Sequence, residues 1–224
     1  MIEYILVRSN RKTVALAVRN GALTVMAPLR APKQEIDKLV RSKEKWIKGK
    51  LAQSRATLEQ REQFSLDYGG SVLYRGAPHT IVAREGDRAG FGDGQFLLPP
   101  HFPPARIKAV CVQCYRRYAL DVMIENVKHY AAQMNSWPID LKINGAKTRW
   151  GSCSSAGRLN FSWRLVMADD DVIAYVVVHE LAHLGMMNHS PKFWAIVEGV
   201  LPDYKERQAR LKTLQQRLGA EDWE

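Results

Sequence analysis

Val172-Ile173-Ala174-Tyr175-Val176-Val177-Val178-His179-Glu180-Leu181-Ala182-His183 is the stretch on which the reading of this chain turns. Seven apolar residues run into a His-Glu-x-x-His pattern, so the segment reads as a helix through a core that carries its polar groups inward. Residues four apart lie on the same face of a helix, so the imidazoles of His179 and His183 can converge on one ion. A third ligand then has to come from beyond the helix. His189 qualifies, because Gly185 can end the helix in a left-handed turn, Asn188 suits a loop, and Ser190-Pro191 reads as an N-cap with proline at the first helical position. Glu198, on the helix that follows, is the rival third ligand or a group that orients a ligand. Three protein ligands leave a fourth position for water, the mark of a catalytic rather than a structural zinc site. Glu180 is the expected general base. Buried without an ion, an inward His-Glu-His cluster would be costly.

Upstream and downstream of this helix the pattern predicts an α+β fold. Strands are expected over Ile2–Arg8, Thr13–Val18 and Leu23–Ala27, the last two joined by an Asn20-Gly21 type I′ hairpin. A basic helix is expected over 32–62, with Ile36, Leu39, Val40, Trp46, Ile47 and Leu51 as its apolar stripe. Short strands return between Asp67 and Pro100, and Pro99, Pro100, Pro103 and Pro104 mark a break. The expected division is therefore a β-rich module with the basic helix over 1–100 and the metal-hydrolase domain over 101–224. In the second part Ile107 to Asn135 reads as a helix, with Cys111 and Cys114 on its apolar stripe and therefore in the core, not at a metal. Leu141–Ile143 and Arg158–Trp163 read as strands, and a last helix is expected after Asp203 with Glu206 in a capping arrangement.

The 224 residues carry 33 Lys+Arg against 23 Asp+Glu, a net charge of +10, which suits phosphate-bearing partners or anionic surfaces. The N-terminal residues read as a strand and not as a leader peptide, and no apolar run approaches membrane-spanning length. Three cysteines, an odd number, argue against a disulfide framework and for a reducing, cytoplasmic setting.

Several segments together resemble the YgjP-like metal-dependent hydrolases, relatives of the SprT-like and WLM zinc peptidases. They are Ala27-Pro28-Leu29 after the hairpin, Trp46-Ile47 in the basic helix, Thr148-Arg149-Trp150-Gly151-Ser152-Cys153-Ser154, the segment from Tyr175 to Leu184, Asn188 to Trp194, and Pro202-Asp203-Tyr204-Lys205. The resemblance implies a small zincin, an antiparallel sheet beside an active-site helix, with zinc on His179, His183 and His189 and water polarised by Glu180. It departs from the metzincins, which have glycine at the position of Met186. A zinc metallopeptidase acting on peptide or protein substrates is the leading expectation, the substrate lying along a strand edge supplied by Arg149–Cys153 or Arg158–Trp163. Two alternatives stand beside it. One is a nucleotide (UTP) pyrophosphohydrolase, an assignment also made within the resembling family. The other is a nucleic-acid-associated peptidase or binding protein, recruited through the basic helix as in the SprT relatives.

Overall fold

Asn20 and Gly21 both take left-handed backbone angles, φ 48° and 71°, the requirement of a type I′ turn, and they join two strands as expected. The computed structural model in which this is seen describes residues 2–223. The strands are β2 (Ala15–Arg19) and β3 (Ala22–Pro28), and β1 (Ile5–Ser9) lies parallel to β3 on its other side. Leu23, Val25 and Ala27 alternate along β3 onto one face. There they meet Ile36 and Val40 of α1 (Lys33–Ser42) and Ile47 of α2 (Glu44–Gln63) in one core. The helix expected over 32–62 is thus two helices. The chain breaks at Lys43, whose N–H is shared by the carbonyls of Leu39 and Val40 as the last turn tightens. Trp46, expected on the apolar stripe, is 46% exposed.

This first unit comprises residues up to Phe64 with Arg217–Asp222, and the second comprises Ser65–Gln216 with Trp223. The units therefore part near residue 64 and not at the expected 100. Strands β4 (Ser71–Tyr74), β5 (Ala77–Ala83), β6 (Gly90–Gly92) and β7 (Gln95–Leu98) form a sheet of order β4-β5-β7-β6 within the second unit. Their attachments explain why. The Tyr115 hydroxyl, on helix α3 (Pro104–Met134), donates to the Leu73 carbonyl, Phe91 stacks on Tyr115, and Arg75 holds Asp170 through two bonds of 2.7 and 2.8 Å. The prolines around 100 break a connection inside one unit. Cys111 and Cys114 lie buried on α3, as their spacing implied.

A mixed sheet of order β8-β10-β9 follows, made of β8 (Asp140–Asn144), β9 (Gly151–Cys153) and β10 (Arg158–Ser162). An antiparallel sheet was expected; β9 does run antiparallel to β10, but β8 is parallel to it. A 3₁₀ turn, Trp163–Met167, leads to α4 (Asp170–Ala182), then α5 (Pro191–Val200) and α6 (Tyr204–Gly219). The α4 residues Val172 to Val178 are all buried, so the helix is a core element, apolar on all sides until it reaches its polar end. No described helix is long and apolar enough to cross a membrane.

Candidate metal centre

The start of α4 is fixed by its own chemistry. Asp169 caps it, its carboxylate accepting from the Val172 N–H at 3.1 Å, and Asp170 and Asp171 complement the helix dipole in the first turn. Ten residues after this cap the helix delivers His179 and then Glu180 in its last turn, with His183 at its C-cap. Gly185 does not take the left-handed conformation expected of it. The end is closed instead by a tightened turn, with the Gly185 and Met186 N–H groups both on the Ala182 carbonyl. Residues 184–190 then bring His189 back over the helix, and Pro191 opens α5 after Ser190 at the cap position.

The result places the three histidines together, with ligand atoms that all lie within 4.8 Å of one another. The Nε2 atoms of His179 and His189 are 3.0 Å apart. Nitrogens bound to one tetrahedral ion at ~2.1 Å are roughly 3.4 Å from each other, so this pair is already at ligand spacing. His183 Nδ1 lies 3.0 Å from the Met186 carbonyl, which can only accept. The proton is therefore on Nδ1 and the lone pair on Nε2, the tautomer a ligand needs, held by the kind of outer bond that orients metal-bound histidine. His179 Nδ1 is buried and has no hydrogen-bond partner among the described residues. Burial, with His183 and His189 beside it, pushes the His179 pKa down to about 4, so the ring stays neutral at ordinary pH. Three convergent imidazoles are a donor set that fits a divalent transition metal, zinc among them. Glu198 is exposed on α5 and is not in this cluster.

Aromatic rings wall the cluster. Phe193 packs against all three imidazoles at 4.6 to 4.9 Å, and Trp194 stacks on His189 on one side and on Tyr204 on the other. Nothing in the histidine spacing announces these rings, although Phe193-Trp194 directly follows the Ser190-Pro191 helix start.

Glu180 lies against β9. Its pKa is pushed up to about 7 by burial, against the opposing pull of Arg149 and of the Cys153 backbone N–H, which donates to it. The segment leading into β9 is held in place: the Ser162 hydroxyl donates to the Ala146 carbonyl, Arg164 to that of Gly145, and the Ser162 N–H to that of Trp150. Because Trp150 and Ser154 bond to β10, the intervening odd-numbered residues Gly151 and Cys153 turn their backbone groups outward. Of the two segments expected to offer an edge, β10 is the central strand and β9 the outer one. Trp163 is a core residue, stacked on Tyr115, whereas Trp150 is only partly buried.

No curated protein matches the chain. Among solved structures it is similar to the metallopeptidase zymogen of Pyrococcus abyssi abylysin, at 25% identity over 41% of this chain and 92% of that one, with a TM-score of 0.38. It is also similar to the metallopeptidase zymogen of Methanocaldococcus jannaschii jannalysin, at 20% identity over 41% and 94%, with a TM-score of 0.37. The model of the YgjP-like metallopeptidase domain matches residues 12–214, nearly the whole sequence, and on that match this α+β chain belongs to the YgjP-like family and is a metallopeptidase.

Proposed function

We propose that this metallopeptidase cleaves peptide bonds with a zinc ion held by His179, His183 and His189 and with Glu180 as general base. The carrying observation is the convergence of the three imidazole ligand atoms within 4.8 Å, beside a carboxyl that faces the outer strand of a sheet. When bound, the ion supplies Lewis acidity, polarising the scissile carbonyl and bringing the pKa of water toward about 7. The chain's own groups do the rest. Glu180, oriented by the Cys153 N–H, takes a proton from the attacking water and returns it to the leaving amine. The outward backbone groups of Gly151 and the Cys153 carbonyl pair with an extended substrate by strand addition. Arg149 lies close enough to Glu180 to favour its ionised form.

The test is metal analysis combined with a substrate screen of casein, DNA-bound protein and nucleoside triphosphates. About one zinc per chain is expected, lost in His183→Ala. Glu180→Gln should keep zinc and fold while lowering casein hydrolysis at least about a hundredfold. Full activity in that variant, or turnover confined to the triphosphates, overturns the reading.

A further inference from the structure

Away from the histidines, the second unit holds an open groove of about 920 Å³ between α3 and the β6–β7 region. Four arginines line it: Arg84 and Arg88 from the loop after β5, and Arg106 and Arg117 from α3. Among the described residues none of the four has a carboxylate within ion-pair distance, although Asp87 and Asp93 stand on the same rim. Two of the guanidiniums are held over aromatic rings, Arg106 over Phe102 at 5.5 Å and Arg117 over Tyr118 at 4.8 Å. Stacking of this kind fixes the plane of a guanidinium. Arg117 also donates from one Nη to the Tyr118 hydroxyl at 3.1 Å, which orients it and leaves its other N–H groups for an incoming anion.

From this arrangement we infer that the groove binds an acidic, extended segment of polypeptide; it serves as a second substrate-binding site of the proposed peptidase, and to that extent rests on that reading. Spacing decides against a compact anion. Arg106 and Arg117 are eleven residues apart, three turns along the same helix face, which separates them by about 16 Å. One phosphate or carboxylate cannot reach both. An extended chain at ~3.3 Å per residue spans that distance in about five residues. Between the charges the lining is mixed, with Leu97, Val110 and Cys114 beside Gln113, which suits acidic residues alternating with apolar ones.

The experiment measures fluorescence anisotropy of a labelled octapeptide alternating Glu and Leu, titrated with full-length Glu180→Gln protein so that nothing is cleaved. Arg106→Glu/Arg117→Glu should weaken binding at least about tenfold. Arg84→Glu/Arg88→Glu, on a different element, should do the same and stands in if the helix variant misfolds. The same peptide with Gln for Glu should not bind, and Lys45→Glu/Lys50→Glu in the first unit should change nothing. Equal binding of the Gln peptide, unchanged affinity in a folded arginine variant, or displacement of the peptide by inorganic triphosphate at lower concentration than by free acidic peptide overturns the inference. Hydrolysis does not enter the readout. No binding of the acidic peptide by Glu180→Gln protein with all four arginines intact, while the parent still cleaves casein, would sink the groove alone, and failure of the peptidase reading would leave the binding result standing.

Discussion

At Gly151 there is no room for a methyl group. A Cβ built there would sit 2.6 Å from the Glu180 Cγ and 2.7 Å from its Oε1, so the proposed base lies directly on the backbone of β9. Gly151→Ala must therefore move the carboxylate or the strand, an overpacking that costs about 1–3 kcal/mol. We expect turnover to fall at least about tenfold with zinc content unchanged; full turnover would mean that Glu180 is placed by something else. Protons give a second handle on Glu180, and on its neighbour His179, in the metal-free protein. Burial takes His179 from 6.5 to about 4, so the unfolded chain binds its proton more readily, and its contribution to stability is whole above pH 6.5 and lost as pH falls toward 4. Glu180 goes from 4.5 to about 7, so its contribution is whole below pH 4.5 and lost as pH rises to 7. The two oppose each other between pH 4.5 and 6.5. Glu180→Gln leaves the histidine alone, and its urea midpoint in chelator should drop more steeply over that window than the parent's. A parallel decline in both proteins would argue against the buried, protonated Glu180. The histidines and Glu180 were legible because helical spacing alone sets them side by side. The reason for Gly151 was not, since it depends on a strand and a helix that meet only in the fold.

Among the elements, α4 was the easiest to read and β9 the hardest. A run of seven apolar residues before His179 admits few alternatives to a buried helix, and its acidic start is a local signal. Asp169 also holds Arg210 at 2.5 Å, on a surface where an ion pair is worth little. Asp169→Ala should thus lower stability by about 1 kcal/mol, mainly through the lost cap, and Asp169→Asn by less, as read from urea midpoints. Equal losses in both would assign the effect to the ion pair instead. Strand β9 has three residues, one of them glycine, and carries no alternation long enough to register. The parallel pairing of β8 with β10 was equally hidden, because hydrophobic pattern tells which face is buried and not which way the neighbour runs. The cysteines behave as core residues should. Burial raises the thiol pKa values of Cys111 and Cys114, and that of Cys153 is raised too, though its side chain is only partly covered. A thiol reagent at pH 8 should therefore label Cys153 first in native protein and all three only in denaturant.

Across the whole molecule, charge is distributed far less evenly than the total suggests. Residues 1–64 contain 14 Lys+Arg and 6 Asp+Glu, a net +8, whereas 65–216 contain 18 and 14, a net +4. The unit boundary near 64 was missed because the prolines around 100 are a strong local signal, while the attachments of residues 71–98 to α3 and Asp170 are distant in sequence. Moving the boundary sharpens what the excess charge means. The proposed catalytic groups all lie in the less charged unit, and the cationic α1–α2 pair, with exposed Trp46, lies in the other. Lys38 and Lys48 are already engaged with Glu35 and Glu44, but Lys43, Lys45 and Lys50 have no carboxylate within ion-pair distance among the described residues. Reversing those three to Glu removes six units of positive charge from the first unit and touches no residue of the proposed site. The variant should leave a heparin column at markedly lower salt, since each phosphate- or sulfate-binding cation contributes to the salt dependence of such contacts. Its kcat for a short neutral peptide should stay within about twofold of the parent's. Unchanged elution would show that the charge excess is solvated and idle. A collapse of neutral-peptide turnover in a folded variant would instead give the first unit a direct part in catalysis.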